Sequence, residues 1–64
     1  MAALTDNERT ILRGISQGRK TRDIAADMHL SEDTVYWYRK RLLARFKVGS
    51  SAAMVVKAME EGLI

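Results

Sequence analysis

TRDIAADMHLSEDTVYWYRKRLLARF, residues 21–46, reads as a short helix, a tight break and a longer helix. In the first piece Ile24 and Met28 stand four apart with Ala25 beside Ile24, a helical spacing. The break is His29-Leu30-Ser31. Ser31 suits the N-cap of the next helix, because its side-chain oxygen can accept from the free N–H groups of the first turn. Glu32 and Asp33 then favour the positive end of that helix dipole. Val35, Leu42 and Phe46 follow at spacings of seven and four, on one face. Small Ala25 allows the two helices to cross closely. Two helices joined by about three residues at a steep angle form a helix-turn-helix, whose second helix enters the major groove of DNA.

The longer helix carries the most informative surface. At ~100° per residue, Val35 centres the buried stripe, with Leu42 and Phe46 near it and Tyr38 at its edge. Asp33, Trp37, Lys40, Arg41 and Ala44 fall on the opposite side. An isolated domain normally buries much of its only Trp. Here Trp37 shares a face with Lys40 and Arg41, which points to a contact surface. The alternative is that Trp37 packs on a neighbouring loop and the cations are solvated.

Composition narrows the class. Sixty-four residues make one domain, near the lower limit for folding without a metal or disulfides. There is no Cys and one His, so no zinc site of the usual kind is expected. Proline is absent, and the core must come from helix packing. No apolar run approaches the ~20 residues of a membrane span, and no secretory signal is visible. A cytoplasmic location without membrane contact is the expectation. The net charge is +3, and residues 19–47 hold eight Lys or Arg against four Asp or Glu. The basic charge therefore sits in the helix-turn-helix, as in a nucleic-acid reader, although a basic face is often only a solvated one. No nucleophile–base pair, Gly-rich phosphate loop or metal cluster is present, and the domain is too small for a deep pocket. Neither enzyme activity nor a cofactor or small-molecule ligand is expected.

In chain order, residues 1–4 form a short lead. Thr5-Asp6-Asn7-Glu8 has the pattern of a capping box, with Leu4 placed to pack back on it. A first helix is expected over residues 6–16, with Ile11, Leu12 and Ile15 inside and Arg9 and Arg13 outside. Gly14 weakens it and Gly18 ends it. Thr21 is expected to cap the second helix, where Lys20, Thr21 and Arg22 crowd free N–H groups at a plausible phosphate seat. His29 reads as a surface turn residue. The third helix is expected over residues 32–46 and the fourth over 52–61, capped by Ser50 or Ser51 and ended by Gly62. Val55, Ala58, Met59 and Leu63 are expected inward, flanked by Met54 on one side and by Ala52 and Val56 on the other. That apolar face is nearly twice the usual ~100° stripe, so self-association through the fourth helix is expected, with Met54, Val55 and Ala58 at the dimer interface. The alternative is that a small domain leaves some Ala and Val wet.

Leu4-Thr5, Glu8, Ile24-Ala25, Met28, Leu30-Ser31, Thr34-Val35, Val48, Val55, Ala58 and Gly62-Leu63-Ile64 together resemble the C-terminal effector domain of the LuxR family, as in NarL-type response regulators. The likeness covers nearly the whole chain. Its strongest pieces are the opening LT-x-x-E, the S-x-x-T-V of the third helix and the closing A-x-x-x-G-L-I. The resemblance implies an all-α, four-helix DNA-binding domain whose third helix reads the major groove. It implies a fourth helix that commonly forms a two-fold dimer, and a bacterial transcription regulator usually controlled by a receiver or sensor domain earlier in the chain. The family often has Lys where Tyr36 stands, His at Tyr38, Gly at Lys47, Ser and Asn at Lys20 and Thr21, and Arg at Ser51. Tyr36 and Trp37 occupy positions that often touch base edges in the family. With Lys47 in the place of the family's Gly, Gly49 is the candidate for the helix-ending role.

Double-stranded DNA is therefore the expected partner, with a homodimer and RNA polymerase as further candidates. Tyr36, Trp37, Lys40 and Arg41 are the candidate base readers. Lys20, Thr21, Arg22, Thr34, Arg39 and Arg45 are the candidate phosphate contacts. A sigma-factor-like promoter reader is the nearest alternative. A protein-interaction module using the Trp37 face is the alternative of another class.

Overall fold

The capping box expected at residues 5–8 is formed. Thr5 Oγ1 accepts from the Glu8 N–H at 3.2 Å, and Glu8 Oε1 accepts from the Thr5 N–H at 2.8 Å. From this cap α1 runs Asp6–Ser16, followed by α2 Thr21–Met28, α3 Glu32–Phe46 and α4 Ser51–Glu60. The computed structural model describes residues 3–64, among which there is no strand; Met1 and Ala2 of the expected lead lie outside the described residues.

The four helices end alike. The next residues in left-handed backbone are Gly18, His29, Lys47 and Gly62, with φ between 56° and 75°. The residue after each donates its N–H five positions back: Arg19 to Gly14, Leu30 to Ala25, Val48 to Leu43 and Leu63 to Ala58, at 2.9–3.1 Å. This Schellman arrangement satisfies carbonyls that a helix end would otherwise leave open. Leu30, Val48 and Leu63 are also packed on the core, so three of the four stops are tied to burial. α3 ends at Phe46 as expected, but the helix-ending role does not fall to Gly49. Lys47 itself takes the left-handed position, and Gly49 does not have a positive φ.

The core comprises Leu4, Ile11, Leu12, Ile24, Ala25, Val35, Leu42, Phe46, Met54 and Ala58. It contains the expected stripe of α3, whose Leu42 is fully buried. Both α1 and α3 pack on every other helix, whereas α2 and α4 are not in contact. Two start positions differ from expectation. Lys20, not Thr21, is the N-cap of α2, and no side chain caps that helix. At α4 the cap is Ser50, one of the two serines expected, whose side chain accepts from the Ala53 N–H at 3.2 Å, and the helix starts at residue 51 rather than 52.

The phase of α4 is the larger correction. Met54 and Ala58 are fully buried, so they build the monomer core and cannot form a dimer surface in the folded chain. Met59, expected inward, is 61% exposed, Val56 is exposed beside it, and Val55 is half-buried. The helix is rotated relative to the expected centre, with Met54 and Ala58, four apart, buried in the core.

Gly14 has a role that its weak helix propensity hides. It is buried, and an added Cβ would lie 2.8 Å from Ile24 Cδ1 and 2.9 Å from Cγ1. The residue thus sets how closely α1 and α2 approach. Overpacking a core costs about 1–3 kcal/mol, against about 0.5–1 kcal/mol gained by replacing a mid-helix Gly with Ala. Gly14→Ala is therefore expected to destabilise the fold by about 1 kcal/mol in urea unfolding, with Ile24→Val in the same chain recovering part of the loss. Additive losses in the double variant would contradict this contact.

Candidate nucleic-acid interface

The turn His29-Leu30-Ser31 joins α2 to α3 with three residues. Ser31 caps α3 as expected, accepting from the Thr34 N–H at 3.1 Å, and its hydroxyl lies 2.9 Å from the Thr34 hydroxyl. The entry of α3 is thus tied at its cap, while Val35, Leu42 and Phe46 anchor its length in the core. What remains outside is the face carrying Tyr36, Trp37, Lys40 and Arg41, all exposed. Tyr36 is 47% and Trp37 51% exposed, so neither is packed away in the core.

The Trp37 ring is not loose. Arg41 lies over the Trp37 ring with its guanidinium carbon 4.7 Å from the centroid. Trp37 meets Tyr38 edge to face, with centroids 5.1 Å apart. Tyr38 is half-buried, and its hydroxyl accepts from Asn7 Nδ2 at 3.3 Å. The contribution of Asn7 was not legible in the chain, because its partner lies 31 residues away and no local spacing links them.

The expected phosphate contacts divide into two groups. Lys20, Thr21 and Arg22 stand together at the start of α2, with Lys20 and Arg22 exposed and Thr21 half-buried. The Lys20 carbonyl receives the N–H groups of Asp23 and Ile24. With no side-chain cap, the N–H groups ahead of them remain for an external anion. Arg22 also reaches Asp23 at 4.0 Å, an exposed pair of little energetic weight. On α3, Thr34 and Arg39 are half-buried. Arg45 is turned toward α1, with Nη1 3.4 Å from Glu8 Oε1 and a side chain 28% exposed. It links the two helices, a tie that the expectation of a phosphate contact did not include.

Glu8 consequently serves two partners through one oxygen: the N–H of Thr5 at 2.8 Å and Arg45 at 3.4 Å. The Thr5 backbone hydrogen bond holds its carboxyl below the ordinary 4.5, aided by the Thr5 side chain and by the charges of Arg45 and Arg41, with partial burial opposing.

A short helix, a three-residue turn and a capped helix with an uncovered cationic and aromatic face define a helix-turn-helix domain of the DNA-binding class used in transcription regulation. Residues 2–58 match the family described as bacterial regulatory proteins, luxR family. The chain belongs to that family, as the residues quoted above suggest. Among its relatives, a nitrate/nitrite response regulator protein homolog of Haemophilus influenzae is 37% identical over 59 residues, covering 92% of this chain and 28% of the relative. The DNA-binding transcriptional activator DevR/DosR of Mycobacterium tuberculosis is 40% identical over 60 residues, covering 94% of this chain and 28% of the relative. The crystal structure of response regulator ChrA, of a heme-sensing two-component system, superposes with a TM-score of 0.91 at 30% identity, covering all of this chain and 32% of that one. The chain spans about a third or less of each of these proteins. No helix among the described residues is long and apolar enough to cross a membrane.

Because the folded state lowers the Glu8 pKa, its charged form favours folding. The stabilisation is complete above the ordinary 4.5 and is lost as pH falls from there through the folded value. Urea unfolding of the native chain is expected to weaken over that acidic range, and Glu8→Gln should be less stable at neutral pH with a flatter acid dependence. An identical pH dependence in the two chains would rule out this role.

Proposed function

We propose that this domain binds specific DNA sites in bacterial transcription regulation, with α3 in the major groove and a second copy held through the exposed side of α4. The observation that carries the first part is the open face of α3: Tyr36, Trp37, Lys40 and Arg41 project from a helix whose other side is locked in the core. Such a helix presents side chains to base edges without moving its backbone. Lys20, Thr21 and Arg22 at the start of α2 supply phosphate contacts that set register and give salt-dependent affinity. Arg39 and Thr34 are candidates at the flank, and Arg45 is left to Glu8. Since the chain spans a third or less of its relatives, control by a receiver or sensor domain belongs to the same proposal.

Lys40 tests the base-reading face. Lys40→Ala is expected to weaken binding to a selected site by about tenfold, in line with the ~1–3 kcal/mol of a good base contact, while non-specific duplex binding falls far less. Equal losses on both duplexes would assign Lys40 to phosphate.

The dimer surface moves to the residues that α4 exposes. Val56 and Met59 are 55% and 61% exposed, three apart on one side of the helix, with Ala52 and Ala53 also uncovered. Val55, Met59 and Ile64 line an adjoining groove with Arg13, Ser16 and Gln17. Apolar surface of this kind supports self-association. Val56→Asp and Met59→Asp should leave helical circular dichroism intact and lower the dimer fraction on DNA in analytical ultracentrifugation. An unchanged dimer fraction in both variants would remove that role from α4.

A further inference from the structure

A series of contacts runs from α1 to the open face of α3: Asn7 to the Tyr38 hydroxyl, the Tyr38 ring to Trp37, and Trp37 to the Arg41 guanidinium. Its inner end is tied to the core, since Tyr38 is packed on the buried cluster. Its outer end is a cation held over the ring type that holds cations best. An exposed Arg would otherwise sample many rotamers and lose that freedom on binding. Here part of the ordering is present before any ligand arrives.

Resting on the assignment of α3 to the major groove, we propose that Arg41 reads a guanine in the target and that Trp37 is the positioning residue that sets its guanidinium. A guanidinium is a rigid fork of donors. In the major groove guanine presents two acceptors, O6 and N7, whereas adenine sets a donor beside its N7 and cytosine offers a donor. A fork held in one place therefore selects guanine. Lys40, on the same face, carries a compact ammonium on a flexible stem, so its choice of acceptor is less fixed by geometry. A phosphate can also take the fork bidentately, but that contact would be lost equally on every sequence, whereas a guanine contact is lost at one position of the site. On this proposal Trp37 is not itself the reader. One face of its ring is taken by Arg41, and its contribution to specificity passes through that residue.

The test recovers binding sites from a randomised duplex pool, using the 64-residue chain and its Arg41→Lys, Trp37→Leu, Trp37→Phe, Lys40→Ala and Trp37→Leu/Arg41→Lys variants. Circular dichroism checks that each is folded; Trp37, Lys40 and Arg41 are all exposed. The native chain should show a guanine preference that Arg41→Lys reduces on the order of tenfold at one position of the site. Trp37→Leu should reduce the same position, Trp37→Phe should restore most of it, and the double variant should lose no more than Arg41→Lys alone. A Trp37→Leu effect at a different position would overturn the proposal and make Trp37 a reader in its own right. So would an Arg41→Lys profile identical to the native one while Lys40→Ala changes another position, and in that case α3 remains the reading helix. A native chain that recovers no preferred sequence would overturn both this proposal and the assignment of α3.

Discussion

The left-handed backbone at His29, with Leu30 packed beside it, determines where α3 points. His29 has φ 56° and ψ 38°, and the Leu30 N–H closes on the Ala25 carbonyl at 2.9 Å. That geometry stops α2, turns Leu30 toward the core and leaves Ser31 extended to cap α3. An L-residue in this conformation carries a steric cost, offset here by satisfied carbonyls and by burial. Everything exposed on α3 takes its direction from this turn, because the helix that follows is capped at one end and buried along one side.

The second constraint is size. A chain of 64 residues has few side chains to bury, and small domains are marginally stable. α3 therefore serves as both a structural hub and a candidate reading helix. Val35, Leu42 and Phe46 meet the core, and the remaining circumference is divided between ties to α1 and an open surface. Tyr38 and Arg45 make the ties, to Asn7 and Glu8. Tyr36, Trp37, Lys40 and Arg41 make the surface. The first turn of α1 thus does more than start a helix. Its cap residue Glu8 and its neighbour Asn7 hold one flank of α3.

Much of this was legible in the chain, and what was not has particular causes. The helices, the Thr5 and Ser31 caps and the stripe of α3 follow from local spacing and side-chain chemistry, which a sequence displays directly. The phase of α4 did not follow. Its apolar residues cover so much of the circumference that periodicity alone could not separate buried Met54 from exposed Met59. Gly14 looked like a weakness in α1 because its Ile24 neighbour belongs to another helix. Thr21 looked like a cap by residue type, yet the chain enters α2 one residue earlier, at Lys20. Arg45 looked like a free cation because Glu8 is 37 residues away. For α4, Gly14 and Arg45 the missing information was a tertiary neighbour. The open face of α3 was legible because it is defined by having few such neighbours.

Contact between this face and DNA is read most directly by a heteronuclear NMR titration of the 64-residue chain with a short duplex, at low and then raised salt. Backbone shifts are expected to centre on Tyr36, Trp37, Lys40 and Arg41 and on Lys20, Thr21 and Arg22, fading as salt rises. Shifts confined to other surfaces, or none at low salt, would contradict that contact.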